Sequence, residues 1–275
     1  MGKPAIASAK VRDGAPRADN AAERARAAAG GTVSAEPAAH RGLRPRSGGQ
    51  PIEPVEDSNA LRHEVIATAR AMNAAGINVN RSGNVSARCM RGARPGFVIT
   101  PSGAAYDTLT ADDLVFMRLD DGAASGRRAP SSEWRFHRDI YRTRGELNAI
   151  VHAHSTAATA LACHGLGIPP FHYMVATAGG RDIRCAPYAT FGTQELSDHV
   201  LAALQARKAC LLAHHGLIAC GTALRTALEL AVEVEHLAAT YLQARALGEP
   251  PHLDDAEMAR VVAKISHYGA NAESG

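Results

Sequence analysis

Ile150-Val151-His152-Ala153-His154 is a short apolar run that carries two histidines one residue apart. Side chains alternate across an extended strand, so His152 and His154 point to the same side. Their Cα atoms then lie roughly 6.5 Å apart, close enough for both imidazoles to reach one ion. Alone, the pattern fits a strand with two half-exposed histidines about as well as a metal site. Ser131-Ser132-Glu133 upstream and His214-His215-Gly216 downstream tip that balance by adding a carboxylate and a third imidazole. Together they make the ligand count of a metal centre with one exchangeable position.

Around this strand, helical and extended patterns interleave. Ser58 is a good N-cap for a helix over 59–75, with Leu61, Val65, Ile66, Ala69 and Met72 on its apolar face and Gly76 at its end. Strands are expected at 84–88, 96–100 and 114–119, and the segment 120–130 reads as a loop. A helix over 132–144 precedes the histidine strand, and Ser155 is expected to cap a further helix through Cys163. After a less regular stretch, Thr193 should cap a helix through Arg207, followed by short strands at 210–214 and 217–220. The long helix 223–247 shows Ala227, Leu230, Ala231, Val234, Leu237, Ala238 and Tyr241 on one stripe, and a last helix spans about 254–267. Interleaved helices and short strands favour a three-layer α/β domain over a sandwich.

Composition narrows the function classes. The chain of 275 residues has a net charge of +3, but its first 50 residues alone carry +5, leaving −2 on the remaining 225. A near-neutral folded part gives no reason to expect nucleic acid as a partner. No run approaches the length of a membrane span. The five cysteines form no CxxC pair, and Cys163 and Cys210 sit in apolar runs as buried thiols do. A reducing, cytoplasmic setting follows. Residues 1–55 are rich in Ala, Arg, Gly and Pro with few large aliphatics, which predicts a disordered tail ahead of one domain over 56–275.

Each chemical signal has a plainer counterpart. Strand alternation lets only one of His214 and His215 face the site, and the pattern does not say which. Glu133, at the start of a helix, would serve simply as a first-turn acid. Beside a metal it could instead ligate the ion or act as a general base. Gly83-Asn84, Ser102-Gly103 and Ser131-Ser132 offer backbone N–H groups, hydroxyls and an amide without bulk, which suits a phosphate dianion as well as an ordinary turn. No GxxxxGK[ST] sequence occurs, so nucleotide triphosphate chemistry is not indicated.

Pro130-Ser131-Ser132-Glu133-Trp134-Arg135-Phe136-His137, the His152/His154 pair, His172-Tyr173-Met174, the run 185–193 and the run 211–220 together resemble the class II aldolase/adducin family over about residues 58–270. The resemblance implies a central, mostly antiparallel sheet between helical layers, assembled as a homotetramer with active sites at subunit interfaces. It implies one Zn²⁺ per subunit held by His152, His154 and His215, with Glu133 as resting ligand and proton shuttle. By the same likeness Gly83, Asn84, Ser102, Gly103, Ser131 and Ser132 cradle a phosphate. Tyr173 handles the aldehyde-side oxygen, and Tyr268 is lent to a neighbouring subunit. The implied reaction is reversible cleavage of L-fuculose 1-phosphate, or a related deoxy-ketose 1-phosphate, to dihydroxyacetone phosphate and a small aldehyde such as L-lactaldehyde through a metal-stabilised enediolate. A Schiff-base lysine is not needed, and Lys3, Lys10, Lys208 and Lys264 all lie outside these motifs. Pentulose-phosphate 4-epimerase and methylthioribulose-phosphate dehydratase chemistry are the alternatives on this fold, and a non-catalytic adducin-like module is a third.

Overall fold

The computed structural model describes residues 55–268. The expected N-terminal tail, apart from Val55, lies outside them. Val55 already accepts a hydrogen bond from Met90 N (2.8 Å), and Asp57 pairs with Arg62 (2.6 Å) and Arg91 (2.5 Å), so the folded chain begins ahead of Ser58.

Eight strands form one sheet in the order β4-β3-β2-β1-β5-β8-β7-β6. They are β1 (Asn84–Arg91), β2 (Arg94–Ile99), β3 (Val115–Arg118), β4 (Ala124–Ser125), β5 (Ala149–Ala153), β6 (Arg184–Ala186), β7 (Ala209–Leu212) and β8 (Gly216–Gly221). Every neighbouring pair is antiparallel except β6 and β7. The helices are α1 (Asn59–Ala74), α2 (Trp134–Thr143), α3 (Thr156–Cys163), α4 (Gln194–Ala203), α5 (Leu224–Arg245) and α6 (Asp255–Tyr268).

Strand alternation divides the interior in two. Val85, Ala87, Val151, Leu217 and Ala219 face one way and pack with α1, α3 and α5. Ile150, Ile218, Cys220, Phe97 and Ile99 face the other way and pack with α2 and α4. This is the expected three-layer α/β/α arrangement. The α5 stripe is buried along its whole length, and residues such as Val234 and Leu237 each contribute about 1.5–3 kcal/mol by leaving water.

Local details differ from the sequence expectation. The loop 120–130 contains the short edge strand β4. α4 stops at Ala203, and Ala206, at φ +56°, turns the chain before Arg207. Ser155 sits at the N-cap of α3 but makes no capping bond, because the Glu235 carboxylate on α5 accepts from Ala157 N (2.7 Å) and Ala158 N (2.9 Å) instead. Cys163 is exposed rather than buried, since it ends α3 on the side away from the sheet-facing Ala158 and Leu161. Cys210 is buried as expected. No described helix is long and apolar enough to cross a membrane.

Candidate metal centre and phosphate rim

β5 and the turn after β7 bring the histidines together. His152 is fully buried on the α2 side of β5, and His154 follows the strand end on the same side. Their Nε2 atoms lie 3.0 Å apart. The β7–β8 turn then supplies the third ring. His214 takes a left-handed φ of +56° and turns outward, edge-on to Tyr188, while His215 turns inward, 4.7 Å from His154 and 4.8 Å from His152 between ring centroids. The choice between His214 and His215, open on strand alternation alone, falls to His215. Gly216 makes this approach feasible, because a Cβ there would stand 2.4 Å from Ala153 O and 3.0 Å from His154 Cδ2.

Glu133 occupies the N-cap position of α2 and is buried against the histidines. Its Oε2 is 3.1 Å from His152 Nε2 and its Oε1 is 3.3 Å from His215 Nε2. One ligand atom each from Glu133, His152, His154 and His215 lies within 4.8 Å of every other. Burial would raise the Glu133 pKa, but the charge and hydrogen bonding of His152, with His215 and Asn84, pull it down to about 2. Burial and the His152 charge push His154 down to about 3 and His215 to about 4, so both rings are neutral near pH 7. His152 Nδ1 donates to Leu217 O (2.8 Å), which fixes the ring with Nε2 directed at Glu133 and the other two histidines.

These donors fit a divalent metal. Among the described residues Glu133 Oε1 is a buried oxygen without a hydrogen-bond partner, with His215 Nε2 3.3 Å away. A bound cation would satisfy it, and three nitrogens with a carboxylate are an established first-row metal set.

The small-residue segments gather beside this group. Thr100 hydrogen-bonds to Val85 and, through its carbonyl, to Ser131 N (3.1 Å); Ser102 N donates to Ala129 O (3.1 Å). Arg81 Nη1 donates to Gly103 O (2.8 Å), tying the segment before Gly83 to the turn that follows β2. Gly83 must be glycine, since a Cβ would stand 2.4 Å from the His152 carbonyl oxygen. Ser102, Gly103 and Ser132 are exposed, and Ser131 and Gly83 are buried. The Asn84 amide Nδ2 donates to Glu133 Oε2 (2.9 Å), beside the histidines. Tyr173 begins the short 3-10 segment Tyr173–Ala178, half exposed and beside His172, with no hydrogen bond to the Glu133 group among the described residues. Tyr268 closes α6, and its side chain lies outside what the structure describes.

Sequence reasoning missed the partners of Asn84. His137 Nε2 lies 2.5 Å from Asn84 Oδ1, and Ser86 Oγ bridges His137 Nδ1 (2.7 Å) and the Tyr141 hydroxyl (2.8 Å). The signal was available: Asn84 and Ser86 are i, i+2 on a strand, while His137 and Tyr141 are i, i+4 on a helix.

Residues 63–242 match the family model for the class II aldolase and adducin N-terminal domain. A 5-methylthioribulose-1-phosphate/5-deoxyribulose-1-phosphate aldolase of Rhodospirillum rubrum is 51% identical over 214 residues, covering 78% of this chain and 95% of that protein. An L-fuculose phosphate aldolase of Escherichia coli is 47% identical over 218 residues, covering 79% and 99%. Among solved structures, an L-fuculose 1-phosphate aldolase superposes with a TM-score of 0.72 at 38% identity, covering 76% of this chain and 97% of that one. The chain belongs to the class II aldolase/adducin family. It is an enzyme of the metal-dependent aldolase class, a carbon–carbon lyase acting on a small molecule.

Proposed function

We propose that this protein is a zinc-dependent aldolase that reversibly cleaves a deoxy-ketose 1-phosphate, such as L-fuculose 1-phosphate or 5-deoxyribulose 1-phosphate, to dihydroxyacetone phosphate and a small aldehyde. The observation that carries the reading is the convergence of Glu133, His152, His154 and His215 beside a rim of small residues. Zinc held by the three histidines and Glu133 supplies Lewis-acid stabilisation of negative charge on the donor half of the substrate.

In the cleavage direction the C3–C4 bond breaks, the C4 hydroxyl loses its proton to become the aldehyde carbonyl, and C3 takes up a proton. No redox partner is required. Glu133 carries the proton at C3, a reading supported by its burial beside the histidines and by an Oε1 without a hydrogen-bond partner among the described residues. Ser102, Ser131 and Ser132 bind the phosphate through their hydroxyls, and Gly83 and Gly103 through backbone N–H groups, which fixes the reacting carbon against the carboxylate. Tyr173 serves the aldehyde-side oxygen, and Tyr268 completes the site of a neighbouring subunit in a homotetramer. Five free cysteines support a cytoplasmic location.

The test is a coupled assay for dihydroxyacetone phosphate with L-fuculose 1-phosphate, D-ribulose 1-phosphate, 5-deoxyribulose 1-phosphate and 5-methylthioribulose 1-phosphate, with and without chelator. Release that chelator abolishes and zinc restores is expected, and the ranking of kcat/KM names the sugar. Zinc-loaded protein that releases nothing from any of them overturns the reading and favours epimerase or dehydratase chemistry.

A further inference from the structure

Beneath Glu133 lies a buried file of polar side chains that the aldolase chemistry above does not use. Asn84 is 3% exposed, Ser86 and His137 0%, and Tyr141 1%. The file runs Glu133–Asn84–His137–Ser86–Tyr141 through contacts of 2.9, 2.5, 2.7 and 2.8 Å. The His137 ring is stacked on Phe136 at 4.6 Å and faces Phe97 at 6.4 Å, so it has little freedom to turn.

The donor inventory allows one sense of direction. An ionised Glu133 accepts only, so the Asn84 group facing it is the N–H₂ and the group facing His137 is the carbonyl oxygen. His137 must therefore carry its proton on Nε2. Burial, then the charge on His152, hold His137 well below its usual range, at about 3, so the ring is neutral and Nδ1 is an acceptor. Ser86 then donates to Nδ1, and the Tyr141 hydroxyl donates to Ser86. Every proton in the file has one place to be.

We propose that His137 is a positioning residue for the aldol reaction: with Ser86 and Tyr141 behind it, it locks the Asn84 amide so that N–H, never C=O, meets the Glu133 carboxylate. A rotated amide would set Oδ1 against the carboxylate oxygens. The His137 Nε2–H blocks that rotation by engaging Oδ1. Glu133 is thereby held in one rotamer with Oε2 occupied, which leaves Oε1 as the oxygen that meets substrate. The inference rests on the reading of Glu133 as proton carrier.

Zinc-loaded wild type, His137→Phe, His137→Gln, Ser86→Ala and Tyr141→Phe are to be compared for zinc content, kcat, KM and the imidazole ¹⁵N spectrum. His137→Phe should retain zinc and keep KM within about twofold while kcat falls by about 10–100-fold, the usual scale for groups that orient a metal-site carboxylate. His137→Gln, which restores an N–H donor, should recover most of kcat. Losses should diminish outward, with Ser86→Ala intermediate and Tyr141→Phe smallest. Undiminished kcat in folded, zinc-loaded His137→Phe would overturn the proposal, as would a loss of activity that tracks lost zinc. If His137→Phe does not fold, the wild-type spectrum decides: an Nε2–H tautomer of His137 supports the chain and an Nδ1–H tautomer overturns it. Wild type that releases no dihydroxyacetone phosphate would defeat the proposed function alone, because the tautomer reading does not depend on activity.

Discussion

The two halves of the site are built by different means. The metal group is set by regular structure: His152 and His154 by the pleat of β5, His215 by the β7–β8 turn, and Glu133 by the start of α2. Its side chains are buried or half buried and held by hydrogen bonds or ion-pair contacts. The proposed phosphate rim is set by turns, with Ser102, Gly103 and Ser132 open to solvent and Ser102 and Gly103 tied down through their backbones. The contrast separates two jobs. Side chains that move protons and hold metal need fixed geometry in a dry setting, whereas a phosphate can be held by several weaker backbone and hydroxyl groups, none of which is indispensable.

That contrast breaks most sharply at the metal. His154→Ala should lose zinc and at least about 10³-fold in activity together, because two imidazoles and a carboxylate hold the ion poorly. Metal analysis beside the aldol assay checks it, and a variant that keeps both zinc and turnover removes His154 from the site. Glu133→Gln should keep substrate binding while kcat falls by about 10²–10⁴-fold, since an amide cannot take the proton. A kcat equal to wild type would take the proton-carrier role from Glu133.

At the rim the effects should be smaller and of another kind. Ser132→Ala should raise KM about 5–10-fold with kcat little changed, the scale of one lost hydrogen bond of about 1 kcal/mol net. A drop in kcat without a KM change would place Ser132 on the chemical side of the divide. Gly83 marks the border between the halves. Gly83→Ala should destabilise the fold by about 1–3 kcal/mol in urea unfolding, because its Cβ would push on the His152 carbonyl from 2.4 Å. An unchanged midpoint would show that β1 gives way without disturbing β5.

The same division explains what could be read before the structure. His152 and His154 were legible because strand pleat is a period-two rule that local sequence expresses directly. The α5 stripe was legible for the same reason at helical period. His215 was not settled by pattern, since the turn that selects it depends on His214 adopting a left-handed φ. The Ser155 cap failed because Glu235, nearly eighty residues away, reaches the same amides first. His137 lies inside the run 130–137, yet its contacts depend on β1 and α2 meeting across the layer. Long-range register decides such contacts, and no local rule carries it.

The last effect probes whether the buried file beneath Glu133 belongs with the fixed half of the site. In the unfolded chain His137 titrates near its ordinary 6.5, whereas in the fold it stays neutral down to about 3. Between those values the unfolded state binds the extra proton, so stability from this group falls as pH falls, by up to about 1.4 kcal/mol per pH unit. His137→Phe removes that contribution. At equal zinc load, its unfolding free energy should therefore decline less steeply than that of wild type from pH 6 to pH 4, by about that slope. Parallel curves would mean that His137 is already charged in the native protein. It could then accept nothing from Ser86, and the one-way order of the file would be lost with it.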